Sequence, residues 1–365
     1  MPILILGATG PLDATKRRPW IDWLHTATDQ AALVRHFIKF DDQPHSPNAA
    51  IESLLHATAA ASTKPCAPTY VCLDLSLQED EVDPKTVHFP ETKRYLDTSS
   101  PGPSSDDVSR VLSLLQEAKK PLFMLGRADR SQSSWKQRIE LAERFDARVV
   151  TDLKQASSFP TDHKSYGAAP SIFVTPQMSE LIRSADLIVS FDWVDLAGAL
   201  KSSHEAGVEP AGKVIHISLD SALHNGWSKD SFGLPLADVM IQADVDKTIN
   251  AILTADSGSQ SSKSEWLESI SDDAPAMNGI PNGTPSEDIF MTDLAHALYS
   301  AILPKDICLV RVPLGWKGVD LRATHPLAFM GMVSILTSET LKMSGHWLTL
   351  CRTEVQVLDQ VLDSS

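Results

Sequence analysis

Lys119-Lys-Pro-Leu-Phe-Met-Leu-Gly126 opens the stretch whose reading decides the fold, and the module it begins runs to Leu253. Two further apolar runs punctuate the module, Asp186-Leu-Ile-Val-Ser-Phe191 and Lys213-Val-Ile-His-Ile-Ser-Leu-Asp220. Each is short and bounded by charge, Gly or Pro, which suits a strand covered on both faces within a parallel sheet. Arg148-Val-Val-Thr151 and Val239-Met-Ile-Gln-Ala243 supply two more strands. Segments of helical period separate them, at 106–119 with Ser104 or Ser105 as cap, 135–145, 177–184 and 245–253. In the 135–145 helix the inward residues are Ile139, Leu141, Ala142 and Phe145. Alternating strands and helices predict an α/β fold with a central, doubly wound, Rossmann-like parallel sheet, its ligand crevice at the carboxyl ends of the strands.

Outward from this module the pattern is less regular. Ile3-Leu-Ile-Leu6 predicts a strand running into Gly7-Ala-Thr-Gly10, and an all-apolar strand of this kind calls for neighbours on both sides. Residues 20–25 and 29–37 have helical period. Ser46-Pro47 starts a helix over 48–61 by capping chemistry, with Ala49, Ile51, Leu54, Leu55 and Thr58 inward. Pro68-Thr-Tyr-Val-Cys-Leu-Asp-Leu75 is a further strand. A polar, Pro-containing stretch ends in Ser99-Ser-Pro-Gly-Pro-Ser-Ser105 and reads as a linker, as does the Ser-, Asp- and Asn-rich stretch before residue 286. A third unit begins with a helix over 286–303 and a strand over 306–310, and the pattern decays beyond Met332.

Composition narrows the function classes. The chain has 365 residues, enough for two or three domains, and a net charge of −15 with no basic tract, which argues against nucleic acid and anionic membrane as partners. No apolar run reaches the roughly 18 residues of a membrane span, and the start lacks the basic flank of a signal peptide. The four cysteines Cys66, Cys72, Cys308 and Cys351 form no Cys-x-x-Cys pair, so reduced thiols in the cytoplasm are the expectation.

No reacting group announces itself. Gly7-Ala-Thr-Gly10 resembles the start of a dinucleotide fingerprint, but the third glycine would fall at Asp13, where a carboxylate repels phosphate. A tight turn is the simpler reading, which leaves an NAD(P)-binding protein as a remote alternative. The twelve histidines show no metal-ligand spacing, His216 lies mid-strand, and neither a nucleophile elbow nor a Walker phosphate loop is present. Sequence reasoning therefore nominates no catalytic residue and no metal ligand.

A family resemblance does emerge from the order of the units. Pro2-Ile-Leu-Ile-Leu-Gly-Ala-Thr-Gly-Pro11, Arg18-Pro-Trp-Ile-Asp-Trp-Leu-His-Thr26, Lys39-Phe-Asp-Asp-Gln-Pro44 and Pro68-Thr-Tyr-Val-Cys-Leu-Asp74 resemble the second half of the pyrimidine-binding domain of thiamine diphosphate-dependent enzymes. Lys119–Gly126, Ala185-Asp-Leu-Ile-Val-Ser190, Lys213–Asp220 and Gln242-Ala-Asp-Val245 resemble that family's central domain, in the style of acetolactate synthase and benzoylformate decarboxylase. Trp316-Lys-Gly and His325-Pro-Leu-Ala-Phe-Met-Gly331 resemble the entry to its pyrophosphate-binding domain. The resemblance implies a partial pyrimidine domain over 1–85, a linker over 86–105, the central domain over 106–255 and a second linker over 256–285. The start of the pyrophosphate domain follows over 286–332, then a divergent tail over 333–365.

What the resemblance implies about function is a thiamine diphosphate-dependent 2-oxo acid decarboxylase or carboligase using Mg²⁺, truncated at both ends. The family's cofactor-activating glutamate lies upstream of the part matched here, Glu52 reads as a solvated side chain, and no Gly-Asp-Gly occurs in the chain. The expectation is thus an incomplete or degenerate member, inactive alone, working as a homo-oligomer or beside a subunit that supplies the missing domains. The alternative is a non-catalytic scaffold or regulatory homologue. Some relatives hold FAD in the central crevice, and the positions matching best are Gly167, Asp244 and Val245, although Ser218 stands where the family commonly has an acidic residue. The family's catalytic histidine after the 186–191 strand has no counterpart in Asp192–Leu200, and His204 lies too far on.

Overall fold

A computed structural model of the chain describes residues 2–95, 99–155, 157–220, 233–256, 266, 290–302, 307–310, 312 and 316–331. The chain divides into two compact units, Met1–Gly331 and Met332–Ser365, and the second lies outside the described residues. So do the expected start of the third-unit helix, most of the second linker and the tail.

The first unit carries two parallel sheets. The smaller is built from β1 (Ile3–Thr9), β2 (Phe40–Asp42) and β3 (Pro68–Asp74) in the order β1-β3-β2. β1 runs beside β3 in register, Ile3 opposite Pro68 and Thr9 opposite Asp74. Among the described residues no strand pairs with its other edge, and Ile3, Leu4, Ile5 and Leu6 are exposed. Between β1 and β2 the chain forms a single helical turn, α1 (Asp22–His25), and two 3-10 turns at Ala31–Leu33 and Arg35–Phe37. The expected helix over 29–37 does not form. Arg35 instead ties the turns together, pairing with both Asp29 and Asp41.

The helix after β2, α2 (Pro47–Ser62), starts where its capping chemistry places it: Ser46 accepts from Ala49 N–H and Pro47 fills the first turn. Its buried residues are Ser53, Ala57 and Ala61, not the larger aliphatics expected. Small side chains let the helix lie close on β3, where Thr69 donates to the Ala57 carbonyl at 3.2 Å. A short helix, α3 (Leu75–Glu79), follows β3 under an Asp74 cap.

The larger sheet is β4 (Pro121–Leu125), β5 (Arg148–Thr151), β6 (Leu187–Phe191), β7 (Lys213–Ile217) and β8 (Val239–Ile241), all parallel in the order β5-β4-β6-β7-β8. Relative to the chain this is the order 2-1-3-4-5, a doubly wound sheet whose direction of winding reverses between β4 and β6. β4 and β6 are buried at every position because helices cover both faces. α4 (Ser105–Glu117), α5 (Gln132–Arg144) and α8 (Val245–Ala255) pack on one face, and α6 (Pro176–Ser184) and α7 (Leu196–Ser203) on the other. Strand alternation divides the side chains between them. Phe123 and Leu125 join Val111, Leu115, Leu141 and Ile252, whereas Leu122 and Met124 join Met178, Ile182 and Leu200. Burying each such side chain stabilises the fold by roughly 1.5–3 kcal/mol.

α7 falls where a loop was expected. Asp195 caps it, and Leu196, Ala199 and Leu200 turn one face inward. α4 begins with a reciprocal capping box between Ser104 and Asp107. In the third unit α9 (Met291–Ile302) is followed by a strap over 316–331 that lies on the central domain. Ala323 and Ala328 pack on Trp135 of α5, and Ala323 and Thr161 exchange two hydrogen bonds of 3.0 Å. Expected as a strand over 306–310, this part of the chain shows among the described residues a single bridge, Leu309 beside Phe329.

Candidate functional site

The loops after β4, β5, β6 and β8 enclose a crevice of about 520 Å³ at the carboxyl ends of the strands. It sits where the winding reverses, the position at which open α/β sheets bind ligands. Its floor depends on Gly126. A Cβ there would stand 2.1 Å from the Asp192 carbonyl oxygen and 2.8 Å from the Trp193 Cα, both backbone atoms that cannot step aside. Glycine lets the two loops cross, and Gly126 N–H donates to Phe191 O at 3.0 Å and Arg127 N–H to Asp192 O at 3.2 Å. Asp192 turns the chain with φ 55°, a left-handed conformation that Asp tolerates better than bulkier residues.

Charge is arranged in pairs around this crossing. Arg127 grips Asp192 through two bonds of 2.8 and 3.0 Å and reaches Asp220 at 3.0 Å, while Ser218 donates to Asp192 from the end of β7. Burial opposes the Arg127 charge, but the two carboxylates outweigh it and hold the guanidinium proton more tightly than usual. Deeper, the fully buried Arg138 of α5 donates to Asp246, to Ser158 O at 2.8 Å and to Asp129 O at 2.9 Å. Asp246 accepts Asp129 N–H at 2.7 Å with its second oxygen. Burial pushes the Asp246 carboxyl up and the Arg138 guanidinium down, and each partly restores the other's charge.

The loop between α2 and β3 closes one side of the crevice with Lys64, Pro65 and Cys66. Lys64 pairs with Asp244 at 2.7 Å. Asp244 also caps α8, accepting from Asp246 and Lys247 N–H, so the same carboxylate serves the helix start and the contact with the smaller sheet. Arg130, Ser157 and Met330 also line the crevice.

The structure brings two of the three nominated positions into the crevice. Asp244 and Val245 line it, but Gly167 does not. Gly167 lies beyond β5, donates to Val149 O at 2.8 Å and packs so closely on α6 that a Cβ would meet the Leu181 Cδ1 at 2.8 Å. Its glycine serves packing at the sheet edge. The chain after Gly7–Gly10 passes through Asp13 into a single 3-10 turn, Ala14–Lys16, so no phosphate-binding helix starts there. His216 is buried in β7 against Ser190 Oγ at 2.9 Å, and His204 sits at the end of α7 on the Leu200 carbonyl. Glu52 is exposed on α2.

Sequence reasoning missed Arg127, Arg130 and Ser157. A polar run just after a buried strand, Gly126-Arg-Ala-Asp-Arg130, was the available signal, since such runs form the crevice wall in this class of sheet.

Comparison with known proteins agrees with this architecture. Residues 108–252 match the family model described as thiamine pyrophosphate enzyme, central domain, thiamine pyrophosphate being the same cofactor as thiamine diphosphate. The acetolactate synthase large subunit of Corynebacterium glutamicum is 24% identical over 184 residues, covering 48% of this chain and 28% of that protein. A probable sulfoacetaldehyde acetyltransferase of Rhizobium meliloti is 22% identical over 162 residues, covering 44% of this chain and 26% of that protein. Among solved structures, benzoylformate decarboxylase from Polynucleobacter necessarius superposes with a TM-score of 0.63 at 19% identity, over 90% of this chain and 57% of that one. A thiamin diphosphate-dependent enzyme from Mycobacterium smegmatis gives 0.58 at 18% identity, over 91% and 59%. The chain therefore spans well under two thirds of the length of each of these proteins. Residues 108–252 thus match the central domain of thiamine pyrophosphate enzymes, and the sheet order and crevice of that segment are of the same type.

Proposed function

We propose that this chain is a non-catalytic, ligand-binding member of its family, and that its working site is the central crevice, which holds a nucleotide. The observation that carries the reading is that crevice, about 520 Å³ at the reversal of winding and walled by paired charges and backbone groups. Its volume falls within the range of small-molecule sites, roughly 300–1,000 Å³. Asp244 and Val245 contribute to it from the start of α8, and FAD is one form the nucleotide takes in this reading.

The match to the central domain of thiamine pyrophosphate enzymes implies thiamine diphosphate and Mg²⁺. A magnesium ion bridging a diphosphate needs several oxygen ligands in octahedral array. Among the described residues no group of three or more His, Cys, Asp or Glu is placed to hold a metal ion. The described residues do not fit that group. Family enzymes commonly form oligomers. Decarboxylation or carboligation of a 2-oxo acid belongs, in this reading, to an assembly in which another subunit provides the cofactor site. A cytoplasmic location is part of the same proposal. No helix among the described residues is long and apolar enough to cross a membrane.

Calorimetric titration of the purified chain with FAD, ADP and AMP, and separately with thiamine diphosphate plus Mg²⁺, tests both halves of the reading. Micromolar binding of an adenine nucleotide with no heat from thiamine diphosphate is the expected result. Micromolar binding of thiamine diphosphate would overturn the non-catalytic assignment, and silence toward every nucleotide would overturn the crevice assignment.

A further inference from the structure

The cations around the crevice are not equivalent. Lys64 is matched by Asp244, Arg127 by Asp192 and Asp220, and Arg138 by Asp246. Arg130 is different. Half-buried in the wall, its guanidinium reaches only Met330, the sulfur at 2.6 Å and the carbonyl oxygen at 3.4 Å, and no carboxylate among the described residues pairs with it. A thioether is a weak acceptor, and a guanidinium has five N–H donors to place. Burial accordingly draws the Arg130 pKa down, yet an arginine in a protein stays charged.

Ser157 lines the same crevice. It is 7% exposed, and its hydroxyl has no hydrogen-bond partner among the described residues. Its backbone N–H donates to Phe329 O at 3.0 Å, so Ser157 and Arg130 are held by consecutive residues of the strap. A buried hydroxyl and a half-buried cation left unmatched in one crevice both cost free energy, and a bound anion would satisfy both.

The rest of the lining is acidic. Asp244 and Asp246 stand at the first turn of α8, and Asp244 accepts the N–H groups of Asp246 and Lys247. Asp129 adds a further carboxylate to the lining. Those groups suit hydroxyl donors, such as a ribose, and not a second phosphate.

We propose that Arg130 and Ser157 form the anion end of the crevice and receive a single phosphomonoester, which makes a nucleoside monophosphate the ligand class. This rests on the nucleotide reading given above and names which nucleotide the site takes. One uncompensated cation matches one phosphate, and the carboxylates toward α8 disfavour a diphosphate.

The test is titration of adenosine, AMP, ADP and inorganic phosphate into the wild-type chain and into R130Q, R130K and S157A, with the thermal midpoint of each variant confirming that it is folded. A charge-assisted contact of this kind is worth about tenfold or more in affinity. AMP is expected to bind about tenfold more tightly than adenosine, with ADP no tighter than AMP. R130Q is expected to bring AMP to the level of adenosine, R130K to recover part of the difference, and S157A to weaken AMP while leaving adenosine unchanged. Equal binding of AMP and adenosine to wild type, or AMP binding unaffected by R130Q, overturns the inference while the nucleotide reading stands. Phosphate binding that R130Q abolishes, without any adenine compound binding, upholds the anion end and overturns the nucleotide reading. Silence toward all four compounds overturns both.

Discussion

Gly126 shows what a single residue contributes to this site. Its missing side chain lets the β4 loop pass against the backbone at Asp192, and the neighbouring Arg127 then locks the crossing through Asp192 and Asp220. In G126A a methyl group would press on backbone at 2.1–2.8 Å, so the two loops must separate. Overpacking of this kind costs about 1–3 kcal/mol. The variant is expected to unfold at a correspondingly lower denaturant concentration and to lose ligand binding at the crevice. An unchanged unfolding midpoint would show that the loops have room to part. The sequence offered the glycine at the end of the strand, and strand ends are where crevices form. It did not offer the reason, because Asp192 lies 66 positions further along and the contact exists only once β4 and β6 are paired.

Among the elements, the pair of α8 and the loop after α2 has a pH-dependent link. Burial alone would raise the Asp244 carboxyl, but the Lys64 ammonium and the N–H groups of α8 hold it below the ordinary range. A carboxyl depressed in the folded state contributes stability above its unfolded pKa, near 4, and loses it as pH falls through the lower folded value. Lys64 is partly exposed, so the contribution is that of a screened pair, about 1 kcal/mol. K64M is expected to lose about that much at neutral pH and to begin acid unfolding at a higher pH than wild type, followed by circular dichroism. Acid profiles that coincide would remove Lys64 as the cause of the low Asp244 pKa. The elements themselves were legible where local chemistry decides them. Ser46 and Ser104 announced α2 and α4, and the apolar runs announced β4, β6 and β7. Reading failed where the pattern was short or shared with turns. α7 is only eight residues long, and Arg35, flanked by Asp29 and Asp41, folds the 29–37 segment into tight turns in place of a helix.

Over the whole molecule, apolar surface and net charge oppose each other. The open edge of β1 exposes Ile3 to Leu6, Leu6 most of all at 57%, and Trp20, Trp23, Leu24, Leu33 and Phe37 are exposed on the segment that follows it. An uncharged edge strand is a template for pairing with another chain, and exposed apolar side chains favour association. The net charge of −15 works against that contact, and salt weakens the repulsion. Light scattering is therefore expected to rise with salt in the wild-type chain and to rise less in L6K, where an ammonium group occupies the strand edge. Equal scattering from the two proteins would place the contact elsewhere.

Periodicity and capping residues, which act between positions a few places apart, determined the alternating α/β class, the strands of the central sheet and the starts of α2 and α4. Order within the sheets, and with it the open edge of β1, came only from the tertiary structure, because strand neighbours are chosen by packing between distant segments. The same holds for the crevice. Its nominated residues Asp244 and Val245 stand beside a recognisable strand and helix start, but Arg127, Arg130, Ser157 and Lys64 meet them from three other loops, and no local pattern in the chain records that convergence.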